Sequence, residues 1–337
     1  MQAMQDIKKI LIRFPNWLGD CVMATVIIEA LAIAYPSAKI HAVIRKPFDE
    51  IFKKDTRIEK VFGFVKEKTF WKKLLPLPIK KDLKKENYDL AIVCTRSFSS
   101  AFELLGLKVP VKIGSKRFLG SFFLTHQMRW DKTHHQKKQY LSLLKPLNIS
   151  FSSLDSILEK PDNLDGDGII LGIDTNKPYI LIHPGASYGL AKTWPLEYYK
   201  KLAKLLLEHF DLPIVFCGDA TQEKIEFLHK NLIDLIGKTT LGDLKKLIAK
   251  ARCVICNDSG PMHIADGLKV PLVALFGPTD PVLTGPMSLN SLVLNHKTPC
   301  GPCFKRNCPL DHACMKNLLP EDVFEKLKPL MGQYGSS

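Results

Sequence analysis

The 337-residue chain has no run of about 18 apolar residues, so no segment reads as a membrane-spanning helix. It also lacks a secretory leader pattern. Met1–Lys9 is polar and leads straight into a strand-like segment, so a cytoplasmic protein is expected. There its nine cysteines should be mostly reduced thiols. No Gly-x-Gly-x-x-Gly follows a candidate strand, which weighs against a dehydrogenase. Gly237-Lys238-Thr239 looks like the end of a P-loop, but Leu232 stands where that loop needs its first glycine. Asp165-Gly166-Asp167 has the form of a metal-binding Asp-x-Asp, yet it lies in a polar stretch rather than after a strand and reads as a turn. Acidic side chains are scarce in one half only. Residues 1–160 carry 29 basic and 15 acidic side chains, whereas residues 161–337 carry 19 of each, so the net charge of +14 sits wholly in the first half. Two bodies with different partners are implied. A basic nucleic-acid-binding protein is a distant alternative. It is opposed by the absence of a known binding motif, and the basic residues are mostly Lys rather than Arg interleaved with aromatics.

What is present is an alternation of short apolar runs and helical stretches. In the first half the strand candidates are Lys9–Phe14, Ile40–Ile44 and Leu90–Cys94, with a helix from about Cys21 to Tyr35. In the second half they are Tyr179–His183, Ile214–Cys217, Val254–Cys256 and Leu272–Phe276. Helix candidates there are Pro195–Phe210, Thr221–Lys230, Leu241–Ala251, Met262–Leu268 and Pro320–Met331. Such alternation predicts βαβ units and parallel sheets. The Asp-, Gly- and Asn-rich stretch Leu154–Pro178 reads as a boundary, giving two doubly wound α/β domains with a cleft between them.

Open parallel sheets bind ligands beyond the carboxyl ends of their strands. Those ends are Asn16–Asp20 in the first half, and His183-Pro-Gly-Ala-Ser187, Gly218-Asp219, Asn257-Asp-Ser-Gly260 and Gly277-Pro-Thr-Asp280 in the second. Ser259 and Gly260 precede a helix with Pro261 in its first turn, and the free N–H groups at such a start suit a phosphate; an ordinary capped βα turn is the plainer reading. Lys192, just ahead of a helix, could reach the same phosphates as a point charge or could be a solvated surface lysine. Asp20 at the start of the first long helix either complements the helix dipole or serves as a general base for a hydroxyl nucleophile. Cys300, Cys303, Cys308 and Cys314 cluster with His296 and His312 nearby. Their number permits a structural zinc, but the spacing is not the paired Cys-x2-Cys form, so free thiols are the alternative.

These motifs resemble a known family. Phe14-Pro-Asn-Trp-Leu-Gly-Asp-Cys-Val-Met-Ala-Thr25 is similar to the N-terminal signature of the lipopolysaccharide heptosyltransferases, glycosyltransferase family 9, in the form carried by the heptosyltransferase II branch. Thr95–Ala101, His183-Pro-Gly-Ala together with Ala191-Lys-Thr-Trp-Pro195, Asn257–His263, Pro271–Pro278 and the cysteine loop Cys300–Met315 resemble further segments of the family. Val26, where many relatives have Pro, is a departure within a helix.

The resemblance implies a GT-B fold, two Rossmann-like doubly wound domains facing a central cleft. It implies an acceptor domain at 1–163, an ADP-heptose domain at 164–318, and a C-terminal helix and tail at 319–337 that packs back on the acceptor domain. The implied reaction is inverting transfer of L-glycero-D-manno-heptose from ADP-heptose to the first inner-core heptose carried on Kdo–lipid A. Transfer by another heptosyltransferase of the family, type I or III, to a neighbouring acceptor is the alternative. Asp20 is the implied base and Lys192 the phosphate-binding lysine. His183, Gly185, Ser187, Gly218, Asp258, Ser259, Gly260 and His263 would contact the donor, and either Asp219 or Glu223 would contact the ribose. Asn16, Trp17, Gly19, Arg96, Ser97, Lys116 and Arg117 are the acceptor candidates. No cofactor and no catalytic metal are expected. The acceptor is anionic and membrane-borne, so peripheral contact with the inner face of the inner membrane is expected. Residues 60–85 suit it, with nine Lys interleaved with Phe70, Trp71, Leu74, Leu75 and Leu77, although a solvated lysine-rich helical face has the same composition.

Overall fold

A computed structural model of the chain describes residues 6–65, 79–95, 97, 100, 106–116, 120–149, 157–161, 168–225 and 229–332. The chain divides into two compact units, Met1–Glu159 and Lys160–Ser337, four residues before the boundary read from the sequence.

The first unit is built on β1 (Lys9–Arg13), β2 (Lys39–Arg45), β3 (Lys60–Phe64), β4 (Leu90–Val93), β5 (Val111–Ser115) and β6 (His126–Met128). They pair in the order β3-β2-β1-β4-β5-β6, and every pairing is parallel. Its helices are α1 (Leu18–Met23), α2 (Thr25–Ala34), α3 (Lys80–Lys84) and α4 (Gln136–Leu141). The helix expected from Cys21 is thus two. It begins three residues earlier and breaks at Ala24, where the Thr25 hydroxyl donates to the Val22 carbonyl at 2.8 Å and bends the chain.

The second unit opens with a two-stranded hairpin, β7 (Ile169–Ile170) and β8 (Ile173–Asp174). Its main sheet contains β9 (Ile180–His183), β10 (Ile214–Gly218), β11 (Leu232–Ile236), β12 (Cys253–Asn257), β13 (Leu272–Phe276) and β14 (Ser291–Asn295). The order β11-β10-β9-β12-β13-β14 repeats that of the first unit, again wholly parallel. Its helices are α5 (Leu196–His209), α6 (Leu241–Lys250), α7 (Gly260–Gly267), α8 (Pro281–Thr284), α9 (Ala313–Lys316) and α10 (Pro320–Gly332). Both sheets follow the doubly wound order 3-2-1-4-5-6, so the topological switch points lie between β1 and β4 and between β9 and β12.

Apolar periodicity explains the packing. β4, β12 and β13 are buried along their whole length, as strands covered on both faces must be. α5 presents Tyr199, Leu202, Ala203 and Leu206 to the core at helical spacing. Val323, Phe324, Leu327 and Met331 of α10 join the same core beside Trp194, packed against α5. Each fully buried leucine here contributes about 2 kcal/mol. The helix expected over Thr221–Lys230 is not formed at residues 221–225, where the chain runs as turn and coil. Asp219 instead holds a turn, its Oδ1 accepting from the Thr221 N–H and hydroxyl at 2.9 Å each.

Candidate active site

The second unit's switch point gathers most of the expected donor residues. Asn257, fully buried at the end of β12, pins this region. Its Oδ1 accepts from the Trp194 N–H and the Tyr199 hydroxyl at 3.0 Å each, and its Nδ2 donates to the Pro184 carbonyl at 2.7 Å. The loop after β9 is thereby tied to the loop after β12. Across that tie the Lys192 Nζ meets the Asp258 Oδ2 at 2.5 Å, both side chains nearly buried. The Thr279 hydroxyl, from the loop after β13, donates to the same oxygen at 2.6 Å. The Lys192 ammonium also lies 4.8 Å from the centre of the Tyr188 ring. Ser259 is the residue before α7, and its hydroxyl turns back to the Asn257 carbonyl at 3.2 Å, away from the N–H groups of the helix start. The site therefore sets a lysine ammonium, ion-paired to Asp258, near a helix N-terminus, a combination suited to a diphosphate.

A second loop fixes the first from outside. Ala191 N–H donates to the Arg306 carbonyl at 2.9 Å, the His312 Nε2 lies 2.8 Å from the Ala191 carbonyl, and the Tyr188 hydroxyl donates to the Phe304 carbonyl at 2.8 Å. Gly189 sits at φ +156°, and a Cβ there would collide with the Arg306 backbone, so only glycine lets the two loops close.

In the first unit, Asn16 and Trp17 follow β1 and lead into α1. The Asn16 side chain accepts from the buried Arg13 guanidinium at 3.0 Å, and its carbonyl accepts from Arg45 at 3.3 Å. Arg13 also donates to the Phe14 carbonyl and stacks 4.4 Å over the Phe64 ring. Two arginines thus set the loop that delivers Asp20 into the first turn of α1 and leaves the Trp17 ring half exposed. Burial first, and the Asp20 charge second, push the Cys21 thiol and the Tyr140 phenol well up.

Residues 77–314 match the family model described as glycosyltransferase family 9 (heptosyltransferase). The chain is a family 9 glycosyltransferase. It is 31% identical to lipooligosaccharide heptosyltransferase 2 of Campylobacter jejuni (serotype O:6), over 96% of this chain and 99% of that one. Among solved structures, Escherichia coli ADP-heptose LPS heptosyltransferase II superposes with a TM-score of 0.79 at 24% identity, covering 97% of this chain and all of that one. The E. coli heptosyltransferase WaaC with ADP superposes with a TM-score of 0.73 at 20% identity, covering 96% and 99%. The fold is GT-B.

For this glycosyltransferase the structure sorts the residues read from the sequence. It brings Lys192 and Asp258 into contact, puts His183 at the end of β9, and buries His263 on α7. Ser187 is exposed. Asp219 is occupied by its own turn, and Glu223 reaches outward to Lys200 at 3.5 Å with its side chain 66% exposed. Ser97 Oγ lies 2.6 Å from Ser100 Oγ, Gly19 is in the first turn of α1, and Lys116 is exposed just after β5. Arg96, Arg117, the stretch Phe70–Leu77 and Asp165-Gly166-Asp167 lie outside the described residues. Among the described residues no three His, Cys, Asp or Glu side chains converge as a metal ion would require. Cys300 is exposed, Cys303 and Cys308 are half-buried, and Cys314 is buried on α9. What the loop does carry is Arg306 and His312, the partners of the Lys192 loop. Asn257 and Thr279 lie in strand-end segments read from the sequence, but their partners, 21 or more residues away, were not legible there, and Tyr188 was not singled out.

Proposed function

We propose that the chain transfers L-glycero-D-manno-heptose from ADP-heptose to the first heptose of the lipopolysaccharide inner core, as a heptosyltransferase II. The observation that carries this reading is the end-to-end likeness to lipooligosaccharide heptosyltransferase 2, at 31% identity across 96% of the chain.

The residues supply the chemistry. The Asp20 carboxylate takes the proton of the acceptor hydroxyl as that oxygen attacks the anomeric carbon, and ADP departs from the opposite face with inversion. Negative charge grows on the leaving diphosphate. Lys192 and the N–H groups opening α7 stabilise it, donors that are already fixed by Asp258, Thr279 and Asn257. Because these groups provide the positive charge, transfer needs no metal ion, and activity persists in excess EDTA; full loss restored by Mg²⁺ overturns this part. Trp17 offers a sugar-stacking face beside the base, and Asn16, Gly19, Ser97, Lys116, Arg96 and Arg117 belong to the acceptor side. The basic first unit meets the anionic, membrane-borne acceptor at the inner face of the inner membrane. No helix among the described residues is long and apolar enough to cross a membrane.

The test offers ADP-heptose with acceptors bearing zero, one or two heptoses and identifies the product by mass. Addition only to the one-heptose acceptor is expected. Use of the acceptor without heptose, or of the one bearing two, reassigns the chain to a neighbouring step.

A further inference from the structure

The Lys192 ammonium is balanced by Asp258. The two side chains form a nearly buried ion pair, so together they bring no net positive charge to the second unit's switch point. A second cation stands beside them without such a partner. The Arg306 guanidinium carbon lies 5.2 Å from the centre of the Tyr188 ring, the same ring whose centre is 4.8 Å from the Lys192 Nζ. Laid end to end, these distances put the two cations no more than about 10 Å apart, about one Debye length at moderate salt, so an anion drawn to one lies in the field of the other. Among the described residues no carboxylate pairs with Arg306, and the residue is exposed.

The backbone that carries this side chain is fixed. The Arg306 carbonyl accepts from the Ala191 N–H at 2.9 Å, and Gly189, with no Cβ, lets that carbonyl close on the Lys192 loop. Two residues earlier the Phe304 N–H donates to the Pro278 carbonyl at 2.8 Å, beside Thr279. The cysteine loop thus touches both segments that organise Asp258, and it presents one uncompensated guanidinium where they meet. A planar guanidinium pairs with phosphate oxygens as a fork, which an ammonium held by a carboxylate cannot do. In the proposed transfer the bond from the anomeric carbon to the β-phosphate oxygen breaks, and both electrons stay on that oxygen. The acceptor oxygen takes its place on the carbon, and its proton passes to Asp20. The diphosphate gains one negative charge, which the neutral Lys192–Asp258 pair does not balance. We propose that Arg306 is a further catalytic residue of this reaction, its guanidinium donating to the diphosphate and stabilising that charge as ADP departs. The proposal rests on the donor reading given above.

The test uses the full-length chain. It measures binding of ADP and of adenosine by titration calorimetry, and transfer kinetics from ADP-heptose, for the wild type, Arg306→Ala, Arg306→Gln and Arg306→Lys, with thermal midpoints recorded. The Gln variant keeps a planar polar end without the charge, and it carries the comparison if the Ala variant is unstable. Both neutral variants should lose about tenfold in ADP affinity and about tenfold or more in kcat, while adenosine, which has no phosphate, binds as to the wild type. Arg306→Lys, which keeps the charge and loses the fork, should recover part of both. Equal losses for ADP and adenosine would show that Arg306 only supports Tyr188, and would overturn the proposal. So would weaker ADP binding with kcat unchanged. Wild-type ADP affinity and kcat in a folded neutral variant overturn the proposal and leave the donor reading intact. A wild-type chain that does not bind ADP overturns the donor reading along with it.

Discussion

At the scale of single residues, the proposed reaction assigns proton handling to Asp20 in the first unit and charge handling to Lys192 in the second. Two arginines hold the loop that carries Asp20, through Asn16 and the Phe14 carbonyl. Asp20→Asn keeps that geometry and removes the base. Transfer should fall by about a thousandfold while calorimetric ADP binding is retained, and substantial residual turnover removes Asp20 from that role. In the proposed reaction Lys192 stabilises the leaving group. Lys192→Ala should lower kcat/KM about a hundredfold and weaken ADP binding, since it deletes the cation and leaves the Asp258 carboxylate with Thr279 as its remaining side-chain donor here. Unchanged kinetics would demote Lys192 to the surface. Both residues were candidates from the sequence, Asp20 at the start of a helix beside Gly19 and Lys192 just ahead of one. The choice after β10 was not legible. Asp219, Gln222 and Glu223 all fall within one turn of chain, and only the fold shows that Asp219 caps Thr221, Glu223 faces Lys200 and Gln222 turns inward.

At the scale of elements, legibility followed burial. The strands read from the sequence were the inner ones, β1, β2, β4, β9, β10, β12 and β13, whose segments are nearly continuous apolar runs. β3, β5, β6, β11 and β14 were missed. They sit toward the sheet margins, and polar residues break their pattern, as Lys112 does in β5 and Asp234 in β11. Amphipathic helices with clear ends were found to within a few residues, α5, α6 and α10 among them. The partner of α10 could not be read, because an apolar stripe states that it will be buried and not against what. Its burial beside α5 gives a measurable consequence. Leu327→Ala in α10 should destabilise the second unit by about 3 kcal/mol in denaturant unfolding, with no change in the first. A loss below about 1 kcal/mol would show that the helix contributes little to this core.

At the scale of the whole molecule, the chain is two sheets of one strand order, each with a core of its own: one built around Leu11, Val43 and Ala91, the other around Ile182, Trp194 and Phe216. The charge of the chain is divided along the same line, with the basic excess on the unit that holds Asp20. Repetition of the order also places a switch point in each unit, and the candidate base and the diphosphate groups occupy one each. Such a chain need not melt as one body. Two overlapping heat-absorption peaks are expected in scanning calorimetry, and a single peak with equal calorimetric and van't Hoff enthalpies would show one cooperative unit instead. Saturating ADP should raise only the later-sequence unit's peak, by mass action on the folded form, and a hundredfold excess over Kd corresponds to about 2.7 kcal/mol. Separate cores thereby turn ligand binding into an address: each small molecule offered to the protein reports, by the peak it moves, which half of the chain it has found.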